Sequence, residues 1–346
     1  MIDRDVISRI LHAGVQAPSG DNSQPWSFKI DGDAIIVLCH PQMDHPVLNV
    51  DARGTYLATG ALIENMVIAA RHEGLDASVR YFERDGETAR MVLSYGSEKG
   101  HHLYPAIANR HTHRGAYETP LDASSLELLT VETEEHCRMT LITKPAAIRR
   151  IAEASTLMEE TALSIKKLHY LFFKSLLWSV RENESGTPGL FIKTTELPAP
   201  VQGMFRVIRH WPLMRIFHVL GLPKAAAKSN AEVYASSGAI AALFVTRTEP
   251  QDFIAAGRCM QRIWLSATHA GLSAQPLAGL IYLAEYVART DDQEIGAELK
   301  QRIRAARKVL SDTTEERGDT MAMMLRIGIP KQHASSRSKR RPPVIL

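Results

Sequence analysis

Cysteine is scarce in this chain. Cys39, Cys137 and Cys259 lie far apart and form no CxxC or metal-ligand spacing. That argues against a disulfide framework and leads one to expect a reducing, cytoplasmic setting. Aromatic residues make up only 6% of the chain, and the net charge is +3 over 346 residues. So small an excess gives no case for a nucleic-acid partner, and part of it sits in the tail at Lys331, Arg337, Lys339, Arg340 and Arg341. No long hydrophobic run is present. The most apolar aromatic stretch, Tyr170 to Val180, contains Lys174 and is too short to span a bilayer, so no membrane partner is expected. The start, Met1-Ile2-Asp3-Arg4-Asp5, lacks a basic n-region and does not read as a signal peptide. There is no Gly-x-Gly-x-x-Gly run for a Rossmann nucleotide site and no Gly-x-Ser-x-Gly elbow for a hydrolase.

What is present is the composition of a soluble globular protein, 45% hydrophobic and 23% charged, long enough for two domains and a large core. Val6, Ile7, Ile10, Leu11 and Val15 share one face of a helix over residues 5–15. Trp26 to Ile30 alternates as a strand, Asp31-Gly32-Asp33 reads as a hairpin turn, and Ala34 to Cys39 as its return. Residues 40–55 look like a loop. A long helix is expected over 56–72, stopped at Gly74, followed by strands at 79–82 and 90–94. A second unit begins near Tyr104, with a short helix over 122–129, a strand over 137–142 and mainly helix over 145–180. Prolines and glycines interrupt residues 181–230, which read as an excursion or lid. Beyond it come a strand over 237–246, helices over 250–270 and 290–310, a strand over 323–329 and a polar, basic tail.

The two longest helices end alike. Ala70-Arg71-His72-Glu73-Gly74-Leu75-Asp76-Ala77 matches Ala267-Thr268-His269-Ala270-Gly271-Leu272-Ser273-Ala274 at an offset of 197, and Gly60 matches Gly257 at the same offset. Convergence on a helix C-cap would explain the Gly-Leu pair alone. The shared His and flanking alanines favour a duplication. A repeat of this size means two related domains and not a solenoid.

Between the first helix and the first strand lies Ala17-Pro18-Ser19-Gly20-Asp21-Asn22-Ser23-Gln24-Pro25-Trp26. Taken alone it reads equally as a helix stop and strand start, or as a turn aiming N–H groups and short polar side chains at a ligand. The second unit opens with Arg110-His111-Thr112-His113-Arg114, whose alternate residues share one side when extended. Paired guanidinium forks suit a phosphate. His111 and His113 form a His-x-His pair, but no carboxylate or Cys stands near and the flanking arginines repel a cation, so no metal is expected.

Pro18-Ser19, Asn22 and Gln24-Pro25-Trp26 resemble the Pro-Ser-x-x-Asn-x-Gln-Pro-Trp signature of the flavin-dependent nitroreductase family. Arg110, Thr112 and Arg114 resemble its Arg-x-Ser-x-Arg motif, with Thr in place of Ser. Asp51-Ala52-Arg53-Gly54, Gly271 to Leu277 and Leu325 to Pro330 add to the likeness, which points to the internally duplicated, single-chain Acg-type branch. The resemblance implies an α+β, nitroreductase-like fold whose two related halves, residues 1–103 and 104–346, form a pseudo-dimer, with a possible lid at 181–230. It implies one composite FMN site, because each half lacks the motif that the other keeps. Candidate cofactor-binding residues are Pro18, Ser19, Gly20 and Asn22; Arg110, His111, Thr112 and Arg114; Gln275, Pro276 and Leu277; and Arg340 and Arg341, which would otherwise be a solvated basic tail. No side chain is assigned as a catalytic acid or base, since FMN carries the electrons. The activity implied is NAD(P)H-dependent two-electron reduction of a nitroaromatic, quinone or related small molecule by a ping-pong route, in a monomer or weak oligomer. The alternative is a flavin-sequestering protein with a lid and little turnover.

Overall fold

The computed structural model describes every residue except His333 and Ser335. The chain starts with helix α1 (Arg4–Gly14), whose first turn is capped by the Asp3 carboxylate accepting from Asp5 N–H. Ile7, Ile10 and Leu11 lie on its buried face. Strands β1 (Trp26–Asp31) and β2 (Ala34–Cys39) follow as a hairpin closed by the Asp31–Ala34 pair. Helix α2 (Arg53–His72) leads into β3 (Leu75–Tyr81) and β4 (Ala89–Tyr95). The four strands form an antiparallel sheet ordered β1-β2-β4-β3.

Helix α3 (Tyr104–Asn109) and strand β5 (Tyr117–Glu118) open the second part, followed by α4 (Ala123–Leu128) and β6 (Cys137–Ile142). A long insertion then holds α5 (Pro145–Ser155), α6 (Leu157–Ser164), α7 (Lys166–Lys174), β7 (Leu176–Leu177), α8 (Val180–Glu184), β8 (Leu190–Phe191), α9 (Ala199–Ile208), α10 (Trp211–Val219) and α11 (Leu222–Ala235). The chain continues with β9 (Ala239–Val245), α12 (Pro250–His269), β10 (Ser273–Pro276), α13 (Gly279–Arg289), α14 (Ala297–Thr314) and β11 (Thr320–Pro330). The second antiparallel sheet is ordered β6-β9-β11-β10, with β5 paired to β11. Strand for strand this is the order of the first sheet, and α12 links β9 to β10 as α2 links β2 to β3. The halves differ where the second carries α5–α11 in place of the β1–β2 turn, and α13–α14 in place of the β3–β4 connection.

The two halves meet where α2 crosses α12. A side chain at Gly60 would overlap the Ile254 carbonyl oxygen, and one at Gly257 would overlap that of Leu57. Those two contacts interchange under the 197-residue offset. So do the pairs Asn65–Gln261 (2.7 Å) and Glu64–Arg262 (3.2 Å). The helices therefore cross on an internal pseudo-twofold axis, and only glycine lets them approach so closely.

Several expectations need correcting. Residues 181–230 are largely helical and share with residues 163–177 a separate apolar core, built on Leu163, Phe173, Leu176, Leu177, Phe191, Ile192, Ile208 and Met214. The prolines that interrupt its pattern stand mostly in first turns, at Pro200, Pro212 and Pro223, where a missing N–H costs nothing. Phe172, Phe173 and Trp178 join this core, with Phe173 stacked parallel to Trp178 at 6.2 Å, while Tyr170 at the head of the aromatic run is exposed. Helix α13 occupies a stretch to which no element was assigned, and α14 begins at Ala297 and not at Thr290. The basic tail is not solvated throughout. Its end pairs with β1 through Phe28 N–H to the Val344 carbonyl (2.9 Å) and Leu346 N–H to the Phe28 carbonyl (2.8 Å).

Candidate functional site

The 17–26 loop departs sharply from ordinary turn geometry. Asp21, Asn22 and Gln24 all have positive φ, at 44°, 59° and 51°. Each such non-glycine residue costs on the order of 1 kcal/mol and persists only where its surroundings over-determine it. Here the Ser19 hydroxyl accepts from Gln24 N–H (3.0 Å), Ser23 N–H donates to the Gly20 carbonyl (2.8 Å), and Gln24 Nε2 donates to the Asn22 carbonyl (3.2 Å). The chain's far end completes the frame. Asn22 Nδ2 donates to the Lys339 carbonyl (3.0 Å), and Arg341 N–H donates to Gln24 Oε1 (2.8 Å).

Opposite this loop, residues 110–114 run extended beside β10, with a parallel bridge between Thr112 and Ala274 and His113 N–H donating to the Ala274 carbonyl (3.1 Å). His113 turns inward, its Nε2 2.6 Å from the Gln332 carbonyl. The buried Tyr117 hydroxyl donates to the His113 carbonyl (2.9 Å). His111 and His113 therefore do not converge on one point as a metal pair. Among the described residues no group of three or more His, Cys, Asp or Glu side chains is placed to hold a metal.

The loop and the arginine segment share one cleft. Its polar end, about 670 Å³, is lined by Pro18, Ser19, Asn22, Arg110, His111, Thr112, Arg114, Arg337 and Arg340 among others. Its wider end, about 1060 Å³, adds Gly20, Gln275, Pro276 and apolar side chains including Leu57, Met260, Trp264 and Met323. Pro18, Ser19, Asp21, Thr112 and Arg114 line both ends. Two predicted residues stand outside. Leu277 is buried in the sheet, its N–H on the Met324 carbonyl, and Arg341 clamps the Gln24 and Trp26 carbonyls instead of facing the cavity.

Arg110 is the electrostatic anomaly of the cleft. Its side chain is only 5% exposed and lies over the Trp264 ring at 4.5 Å. One nitrogen donates to the Gln16 carbonyl (2.9 Å), while Nε and Nη1 are buried with no partner among the described residues. Burial, with Arg340 and Arg337 nearby, pushes its pKa well down. Burial likewise lowers Arg114, and it brings Arg340 down to about 10. A buried, unpaired cation is costly, and unmade donors cost about 1–3 kcal/mol each. With Arg114 and Arg340 lining the same polar pocket, Arg110 makes it a receptor short of an anion.

Several residues of the site gave no sequence signal. Glu196, at φ 57°, reaches from the insertion to accept from both Arg114 N–H (2.8 Å) and Gly115 N–H (2.6 Å), and the Thr194 carbonyl accepts from Arg114 Nη1 (2.8 Å). Asp44 accepts from the Ser23 and Thr55 hydroxyls (2.7 Å each), and burial raises its pKa. Trp264 and Met260 come from the helix expected over 250–270, and Tyr282 from α13, where the sequence suggests no element.

No protein family's sequence profile matches the chain. It is 22% identical over 303 residues to "Putative NAD(P)H nitroreductase Rv3131" and to its counterpart MT3217, both of Mycobacterium tuberculosis, covering 82% of this chain and 79% of each relative. The chain resembles the nitroreductases. It is also 24% identical over 281 residues to the uncharacterized protein MT1398 of the same species, spanning 80% of this chain but only 39% of that relative's length. Among solved structures, it is similar to the FMN-dependent nitroreductase NfnB of Mycobacterium smegmatis in complex with NADPH (TM-score 0.40, 14% identity, 69% of this chain and 94% of that one). The nitroreductase of Bacteroides fragilis with bound FMN gives a TM-score of 0.37, 11% identity, and coverage of 69% of this chain and 94% of that one. Of the segments quoted from the sequence, Pro18 to Asn22, Gly54, Arg110 to Thr112, Arg114, Gln275 and Pro276 line the cleft.

Proposed function

We propose that the cleft binds FMN and that the protein is an NAD(P)H-dependent oxidoreductase reducing a nitroaromatic, quinone or related small molecule by a ping-pong route. The observation that carries this reading is Arg110, buried on Trp264 with two donors that find no partner among the described residues, in a pocket that Arg114 and Arg340 also line. Those three residues would hold the phosphate. The wider end, with Leu57, Met260, Trp264 and Met323 beside Ser19, Gly20 and Gln275, offers an apolar face and polar edge for the isoalloxazine. When bound, FMN supplies the chemistry by taking two electrons from NAD(P)H and passing them on. The chain's own part is to bind and orient. Glu196 and the Thr194 carbonyl fix Arg114, and the strained 19–24 loop brings Ser19, Gly20 and Asp21 to the cavity wall.

The test is a visible spectrum of the purified protein followed by anaerobic NADPH. A flavin spectrum that bleaches promptly supports the reading. A preparation that stays colourless after FMN is added overturns it. A second reading, flavin sequestration, draws on the insertion, since Leu190 and Thr194 line the polar end and Glu196 ties it to the arginine segment. Bound flavin that NADPH fails to bleach favours that reading.

A further inference from the structure

The insertion has a charge distribution unlike the rest of the molecule. From Leu197 to Ala231 there is no Asp or Glu, while Arg206, Arg209, Arg215, Lys224 and Lys228 supply five cations, with His210 and His218 between them. Set against a whole-chain net charge of +3, this leaves the remainder slightly acidic. All five cations are exposed. Among the described residues none of the five forms an ion pair, whereas surface cations elsewhere do, as in Arg302–Glu160 (2.8 Å) and Lys308–Asp312 (2.9 Å).

Apolar side chains stand among these charges. Helix α10 turns Met214 fully inward, with Phe217 packed against the same small core. Its other side presents Leu213, Ile216 and Leu220 at helical spacing, 39%, 59% and 74% exposed. Val219 is 85% exposed and Val207 of α9 is 44% exposed. Arg209 is held over the Trp178 ring at 5.4 Å, which fixes one charge beside the apolar tip. A helix with one apolar face, flanked by cations and free of acids, fits the boundary between headgroups and acyl chains. Each cation near an anionic surface adds attraction, which fades within a Debye length in salt.

We propose that the α9–α10 tip docks on an anionic lipid bilayer, with Ile216, Val219 and Leu220 entering the headgroup boundary and Arg206, Arg209 and Arg215 lying on lipid phosphates. Among the described residues no helix is long and apolar enough to cross a membrane. The sequence expectation of no membrane partner rested on that kind of run, which peripheral docking does not require. The proposal stands apart from the cofactor reading, because it concerns a surface that lines neither end of the cleft.

Sedimentation of the full chain with vesicles tests it. The protein is expected to pellet with phosphatidylcholine vesicles containing phosphatidylglycerol, not with phosphatidylcholine alone, and to be released by high salt. The Arg206→Glu/Arg209→Glu/Arg215→Glu variant should bind the mixed vesicles at least about tenfold more weakly. Ile216→Asp/Val219→Asp should also lose binding while keeping its far-ultraviolet circular dichroism. Absence of binding to the mixed vesicles overturns the proposal, and so does binding that both variants retain. A protein that ignores lipid but forms a dimer dissolved by the Ile216→Asp/Val219→Asp change overturns it in favour of a protein interface.

Discussion

The two sides of the α2–α12 crossing are built from equivalent elements and have opposite characters. On one side the 17–26 loop, α2, α12 and the end of β10 bound the open cleft. On the other, related by the internal axis, stand the segment before β6, the same two helices exchanged, and the end of β3. There Arg258 and Arg262 converge on Glu64 and Glu134 at 2.8–3.5 Å, with the Tyr81 hydroxyl beside Arg258. Where the cleft holds cations awaiting an anion, this junction supplies its own carboxylates. The same pair of helices thus frames an open, cationic cleft on one side and a self-neutralised ion cluster on the other.

Three changes should separate shared framework from divergent chemistry. The largest effect belongs to the framework. Gly60→Ala and Gly257→Ala each drive a methyl into a backbone carbonyl across the axis, so each should destabilise by more than about 4 kcal/mol, and by similar amounts. Clearly unequal losses in denaturant unfolding would break the pseudo-twofold account. Next comes Glu64→Gln, which strips Arg258 and Arg262 of a buried counter-charge and should cost about 3 kcal/mol. It should leave FMN retention unchanged, since Glu64 does not line the cleft.

Arg110→Ala should do the reverse. It removes a desolvated cation, so the protein without cofactor should melt no lower than the parent. FMN binding should weaken about a hundredfold as a charge-assisted partner is lost. Flavin-fluorescence titration measures the second effect and thermal unfolding the first. A variant that melts much lower and binds as before would make Arg110 a structural residue.

Much of the framework was legible because it rests on local rules. The 31–34 turn, the 137–142 strand and the Gly74 and Gly271 helix ends each carry a periodicity or a breaker within a few residues. The insertion was not legible as structure, because its helices are short and begin on prolines, which in sequence look like interruptions. Arg110, Thr112 and Arg114 stood out through their alternation. Glu196 and Trp264 could not, since one is a lone acid 82 residues from its partner Arg114 and the other is an apolar residue on a core face. The fate of the tail depended on Gln24 and Asn22 receiving it 317 residues away, a contact that no window of sequence contains.

The smallest effect concerns protons and again divides the two sides. The cleft is lined by His45 and His111, and burial lowers both pKa values from the ordinary 6.5. For His45, Asp21 partly opposes the shift, and Nδ1 accepts from Val47 and Leu48 N–H (3.2 and 3.0 Å), a bonding pattern that requires the neutral ring. For His111 the Asn109 carbonyl opposes it, while Arg337, His113 and Arg110 add to it. Groups whose folded pKa is depressed leave the unfolded chain binding more protons, so their stabilisation is present above 6.5 and is lost as pH falls through the folded values. Melting temperature should therefore drop between pH 7 and pH 5. His45→Gln/His111→Gln should recover about 2 °C of that drop, with His101 and His169, also lowered by burial, supplying the rest. Glu64→Gln should shift the whole curve and steepen it only slightly, because Glu64 helps to hold up the pKa of His101 but does not act on His45 or His111. A slope that follows Glu64 and ignores the cleft histidines would mean that the acid-sensitive side of the crossing is the one with the ion cluster.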